Sequence, residues 1–101
     1  MASFLCFPIR RTHVKKRPIL VLWLYGDDVI AAAVTSAKPR SQTDVFLNDW
    51  SVSGLHVPST VRLSRLDCLE KALLLAKIGR ISEGDAKLLK VVWDMCIKPQ
   101  F

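Results

Sequence analysis

The chain has 101 residues, half of them apolar and 24% charged, with four glycines and five prolines; that suffices for one globular domain, taken as residues 1–101, and excludes a disordered, collagen-like or mucin-like chain. No apolar run approaches the roughly 20 residues of a membrane-spanning helix, and the apolar start has its positive charges after it rather than before, so a soluble cytoplasmic protein without a secretory signal is expected. The net charge of +6 is uneven: residues 1–40 carry seven basic and two acidic side chains, residues 41–101 eight and seven, and five cations fall within residues 10–17.

In chain order, residues 3–7 are a short apolar segment closed by Pro8, which removes a backbone donor, and they predict a first strand. The basic stretch follows as a loop. Taken alone it is a solvated charge run, although its field also attracts phosphate. Residues 18–25, Pro-Ile-Leu-Val-Leu-Trp-Leu-Tyr, are β-prone and nearly all apolar, the pattern of a strand buried on both faces. Gly26-Asp27-Asp28 reads as a hairpin turn and residues 29–36 as the returning strand. Residues 38–42 are a polar loop, 43–47 a further strand closed by Asn48-Asp49, 50–58 a longer loop, and 60–63 a half-exposed alternating strand. Residues 66–79 fit two readings. Leu66, Leu69, Ala72 and Leu73 recur at helical spacing, while residues 73–76 also suit a buried strand entered from one helical turn. Ser82 followed by Asp85 resembles a capping box, and Ala86, Leu89, Val92, Trp93 and Cys96 continue at helical spacing before Pro99, predicting a terminal helix over about 83–97. Strands first and a helix last make a β-rich α+β domain, most simply a small barrel-like sheet packed by a helix.

Several chemistries lack their residues. Cys6, Cys68 and Cys96 are odd in number, far apart and set among apolar neighbours, so buried reduced thiols are expected rather than a disulfide framework or zinc site. His13 and His56 have no acidic cluster near them, and there is no glycine-rich phosphate loop or Gly-x-Ser-x-Gly elbow. No metal and no cofactor are expected; the chemistry falls to Arg, Lys, Ser, Thr or a lone His. Trp50, in a polar loop, is a candidate partner contact, whereas Trp23 and Trp93 are expected in the core and His56 is expected to be inert.

Four segments, in this order, carry a family resemblance: Lys16-Arg17-Pro18-Ile19-Leu20-Val21-Leu22, Ala33-Val34-Thr35-Ser36, Gly54-Leu55-x-x-Pro58-Ser59-x-Val61-Arg62, and Ile78-Gly79-Arg80-Ile81-Ser82-x-x-Asp85. Each alone is weak, but together they span nearly the whole chain, which resembles the PemK/MazF toxins of bacterial type II toxin–antitoxin pairs. The resemblance implies an SH3-like barrel of the CcdB/PemK type with a C-terminal helix, a homodimer, a cognate antitoxin, and metal-independent cleavage of single-stranded mRNA. It also favours a strand over residues 73–78. Arg17 matches the family's arginine before proline at the start of the second strand, Thr35 the threonine ending the next strand, and Arg62 the arginine after Pro-Ser-x-Val. Family members often have an acid two residues beyond that arginine, where this chain has Ser64, and they usually begin with Gly-Asp/Glu before the first strand and carry a longer loop before the Arg-Pro.

In the reaction so implied, a ribose 2′-OH attacks the adjacent phosphorus, and fixed cations neutralise charge on the phosphoryl oxygens. The planar fork of Arg17 suits two such oxygens. Thr35 would bond the phosphate or the 2′-oxygen, with Ser36 as a nearby substitute. His13, with a near-neutral intrinsic pKa, is the candidate general acid or base. Lys15 and Lys16 would hold the RNA backbone without reading sequence, and Arg62 and Ser64 complete the RNA-binding set. Without the family, Thr35 is a strand-end residue and Arg62 a surface charge paired with Asp67 or Glu70. Two other functions draw on the same residues: a barrel that grips nucleic acid or protein without cutting, suggested by Ser64, and a gyrase-directed toxin, as in a sister family, disfavoured by the Arg-Pro and Thr-Ser signals.

Overall fold

The computed structural model describes residues 5–9, 17–74 and 77–99, with 5–9, 17 and 73 described through their backbone. Among the described residues six strands, β1 (Leu5–Ile9), β2 (Arg17–Tyr25), β3 (Asp28–Thr35), β4 (Asp44–Phe46), β5 (Thr60–Glu70) and β6 (Gly79–Arg80), precede one α-helix, α1 (Glu83–Val92). The strands pair antiparallel in one sheet of order β4-β5-β3-β2-β1-β6. The result is a β-dominated α+β fold with a C-terminal helix.

The β2–β3 hairpin turns on Gly26, at φ 60, and Asp27, because a two-residue hairpin loop needs a left-handed first residue. Its register, Ile19↔Ala33, Leu20↔Ala32 and Val21↔Ala31, sorts the apolar run onto two faces. Leu20, Ala32 and Val34 join Val45, Val61 and Leu63 beneath Ala86 and Leu89 of α1 in the main core. Ile19, Val21, Val29 and Ala31 make a smaller cluster on the other face, against half-buried Leu69 and Leu74. Two-sided burial of β2 therefore holds for residues 19–21. It stops where the register shifts between Val21 and Trp23, beyond which Trp23, Leu24 and Tyr25 are exposed.

The helical spacing is overridden over residues 66–70, while residues 71–73 make one helical turn. β3 offers backbone partners along its whole length, from Thr35↔Thr60 to Asp28↔Glu70, so β5 runs on to Glu70, absorbing residues 63–65 as a bulge opposite Ala32 and Ala33. Cys68 is consequently exposed rather than buried, and Cys96 is half-buried; the side chain of Cys6 lies outside the described residues. One 3₁₀ turn, Lys71–Leu73, follows, pinned where the Lys71 N–H donates to the Asp27 carbonyl at 2.9 Å. The strand expected over residues 73–78 reduces to a bridge at Leu74 and the pair Gly79–Arg80 on β1, while residues 75–76 lie outside the described residues.

The turn after β4 meets β6, at the far end of the sheet order. A Cβ on Gly54, which sits at φ +99, would lie 2.5 Å from the Ile78 carbonyl oxygen, and one on Gly79 would run into the Ser53 carbonyl. This backbone-to-backbone contact brings the two edges together and curls the sheet towards a barrel. Trp50 packs half-buried on the main core within the same turn, so it is not an exposed partner contact.

Ser82 caps α1, its Oγ accepting from the Asp85 N–H at 3.1 Å. Asp85 does not close the reciprocal half of a capping box. Its carboxylate is buried and accepts from the N–H groups of Asn48 at 3.0 Å and Asp49 at 2.9 Å, tying the turn after β4 to the helix. The helical path continues through a wider turn, Trp93–Ile97, closed by the Lys98 N–H to the Trp93 carbonyl at 3.0 Å. Lys98 is extended (φ −60, ψ 154), as the residue before Pro99 must be. No helix among the described residues is long and apolar enough to cross a membrane.

Candidate active site

Residues directly opposite in an antiparallel pair place their side chains on one face, and those two positions along a strand repeat it. On the face away from α1, two neighbouring rows cross the sheet. One runs Thr35↔Thr60↔Phe46 and the next Ile19↔Ala33↔Arg62↔Asp44. The β2–β3 pairing begins at Ile19↔Ala33, and Arg17, two residues earlier at the start of β2, pairs with Ile9 of β1. The Arg17 side chain lies outside the described residues.

Thr35 ends β3, half-buried, and its Oγ accepts from the Ala37 N–H at 3.1 Å. That bond occupies a lone pair and leaves the hydroxyl proton to be donated to something else. Across from it Thr60 is buried, and its Oγ has no hydrogen-bond partner among the described residues. In the second row Arg62 Nε lies 3.5 Å from Asp44 Oδ1, with the Arg62 side chain 28% exposed and that of Asp44 2%. At this separation the contact is an ion pair and not a hydrogen bond. The other Asp44 oxygen, Oδ2, accepts from the Arg40 N–H at 2.9 Å.

Arg62 is thus paired with Asp44, not with Asp67 or Glu70. The register dictates this: Asp44 is its direct partner on β4, whereas Asp67 and Glu70 follow the bulge and face Ala31 and Asp28. Asp44 and Thr60 escaped the reading of the sequence. A signal existed for Asp44, since it alternates with Val45 and Leu47 as Arg62 does with Val61 and Leu63, setting two opposite charges out of phase with the core. Nothing comparable marks Thr60.

Ser36 is exposed just beyond β3, and Ser64 is exposed within the β5 bulge. His13, Lys15 and Lys16 lie outside the described residues. His56 is exposed in its loop. Trp93 packs half-buried against the main core as expected, whereas Trp23 is exposed; their rings meet edge to face with centroids 5.8 Å apart, and they line an open apolar cleft of about 190 Å³ with Leu22, Leu63, Leu89 and Lys90. That cleft is on the helix side of the sheet, away from Thr35 and Arg62. Among the described residues no three or more His, Cys, Asp or Glu side chains cluster as metal ligands.

An antiparallel sheet, drawn together by its glycine contact, is packed on one face by a C-terminal helix and carries Thr35, Thr60, Arg62 and Asp44 on the other. The chain belongs to the PemK/MazF family, its residues 5–91 matching the PemK-like, MazF-like toxins of type II toxin–antitoxin systems. No curated protein sequence matches it. The fold is shared with solved structures of low identity. The Mycobacterium tuberculosis toxin MazF-mt6 is 21% identical, with a TM-score of 0.73 over 89% of this chain and 93% of that one. An endoribonuclease in complex with its cognate antitoxin, from a mycobacterial species, is 15% identical, with a TM-score of 0.73 over 87% and 85%. A further Mycobacterium tuberculosis toxin is 23% identical, with a TM-score of 0.68 over 84% and 93%.

Proposed function

We propose that this chain is a metal-independent endoribonuclease that cuts single-stranded mRNA as the toxin of a type II pair. The observation that supports the reading is the gathering of Thr35 and Arg62 on one sheet face, with Arg17 at the start of the neighbouring strand β2. In the proposed step the 2′-oxygen forms a bond to phosphorus as the bond to the 5′-oxygen breaks, leaving a cyclic phosphate. The 2′-OH gives up its proton to a base and the departing 5′-oxygen takes one from an acid, with His13 proposed for one of these roles. Arg17 neutralises charge on the phosphoryl oxygens, and the free proton of Thr35 hydrogen-bonds one of them or the 2′-oxygen. Lys15, Lys16, Ser36, Arg62 and Ser64 hold the RNA, the cations through its phosphates.

The protein is proposed to act in the cytoplasm as a homodimer. Leu88, Val91 and Met95, exposed on one side of the terminal helix, give such an assembly apolar surface to cover. Its antitoxin would lay an acidic or amphipathic segment over the basic face; a mycobacterial endoribonuclease of the same fold is in complex with its cognate antitoxin. Ser64, standing where many relatives carry an acid, favours one second reading, an RNA-binding module that does not cut.

Incubation of the purified protein with single-stranded RNA in EDTA tests the proposal. Defined fragments are expected, and Arg17→Ala or Thr35→Val should slow their formation about 10²–10³-fold, the usual loss for one preorganised donor. Fragments that persist undiminished in Arg17→Ala, or that require a divalent metal, would contradict it. Tight binding without cleavage would select the non-cutting module.

A further inference from the structure

Asp44 is held more firmly than a surface carboxylate on a short strand needs to be. Its Oδ2 takes the Arg40 N–H, its own N–H donates to the Ser41 carbonyl at 3.1 Å, and the Thr43 carbonyl beside it accepts from the Leu63 N–H at 3.0 Å. The hydroxyls of Ser41 and Thr43 meet at 2.9 Å and tighten the same loop. With the carboxylate fixed, Oδ1 is left facing Arg62 Nε at 3.5 Å, both atoms being buried and without any other partner among the described residues. The terminal nitrogens of Arg62 make no hydrogen bond among the described residues, and Arg62 is the more exposed of the pair. Stability does not explain this arrangement, because desolvating two charges cancels most of their attraction and an apolar pair would serve as well. A buried anion behind a partly exposed guanidinium instead fixes the direction of the fork while keeping the negative charge away from an approaching phosphate.

We infer that Asp44 is a positioning residue: it holds Arg62 by the Nε edge so that the free edge of the guanidinium is presented, beside Thr35, to a phosphoryl group of the RNA. The inference rests on the endoribonuclease reading above. A lysine at position 62 would supply charge but no Nε edge for Asp44 to hold.

The test is a double-mutant cycle on single-turnover RNA cleavage by the full chain, using Asp44→Asn, Arg62→Ala and Arg62→Lys, with circular dichroism and melting to confirm folding. Asp44→Asn should lower the maximal rate about tenfold, a loss of about 1.4 kcal/mol in barrier terms, with the half-saturating concentration changed less than about threefold. In either Arg62 background the same change should have less than about a twofold effect, because the group being positioned is gone. Asp44→Glu, which keeps the charge, should recover part of the rate. In the uncut free protein, the NMR signal of the Arg62 Nε–H should move and exchange faster in Asp44→Asn. Equal losses in the wild-type and Arg62→Ala backgrounds, or an unmoved Nε–H signal, would overturn the inference while leaving the nuclease reading intact. A wild-type protein that leaves RNA whole would overturn both, and an Asp44→Asn chain that does not fold leaves the decision to Arg62→Lys, whose full activity would also overturn the inference.

Discussion

Replacing Asp85 with alanine removes a carboxylate, 1% exposed, that accepts two backbone N–H groups at 2.9 and 3.0 Å. Hydrogen bonds to a charged group contribute about 1.5–3 kcal/mol each. The lost negative charge at the helix N-terminus costs about 0.5 kcal/mol more, and the better helix propensity of alanine returns about as much. Water reaching the turn at Asn48 and Asp49 recovers some of the two bonds, so the net loss is about 3–4 kcal/mol. That is a large share of the roughly 5–15 kcal/mol that holds a domain together. With a urea slope of about 1.5 kcal/mol/M, the unfolding midpoint falls by about 2–3 M. Asp85→Asn should lose about half as much, since its amide oxygen accepts one N–H and its NH₂ repels the other. Urea denaturation followed by tryptophan fluorescence measures all three proteins. A midpoint for Asp85→Ala within about 0.5 M of the wild type would refute the view that this carboxylate ties the β4 turn to the helix.

Two further predictions concern glycines and ions. Gly79→Ala, which drives a Cβ into the Ser53 carbonyl, should cost about 3 kcal/mol and lower Tm by more than about 10 °C. Gly26→Ala, with open space around it but φ +60, should cost only the left-handed penalty of about 1–2 kcal/mol; equal effects in calorimetry would contradict the close approach. If Lys15, Lys16, Arg17 and Arg62 each meet a phosphate, log K for a non-cleaved single-stranded analogue should fall with log salt at a slope near −3, from about 0.7 per contact. A slope near zero, measured by fluorescence anisotropy, would remove those cations from the interface.

Much of the fold is legible locally. The β2–β3 hairpin is written in an apolar run, a Gly-Asp turn and a second apolar run, and the terminal helix in Ser82, its apolar spacing and Pro99. The extent of β5 is not, because the spacing of Leu66 and Leu69 suits a helix and only pairing with β3, distant in sequence, makes residues 66–70 a strand. The same non-local cause hides the ends of the Asp85 and Arg62 side chains. A capping pattern announces Asp85 near the helix start, but its partners are at 48 and 49. Arg62 has acids nearer in sequence than Asp44, and strand register alone decides between them. Trp23 shows the reverse case, where composition suggests a core residue and a shift in register turns it outward.

The central claim is that a ribose hydroxyl of the substrate itself cuts the chain, beside Thr35 and the arginines. The most direct measurement is digestion, in EDTA, of one RNA oligonucleotide and its twin bearing a single 2′-deoxy sugar at the cleaved position. Cleavage of the RNA to a cyclic-phosphate end, with the deoxy twin left whole at that position, is the predicted result. Cutting of the twin at the same bond and at a similar rate would contradict the account.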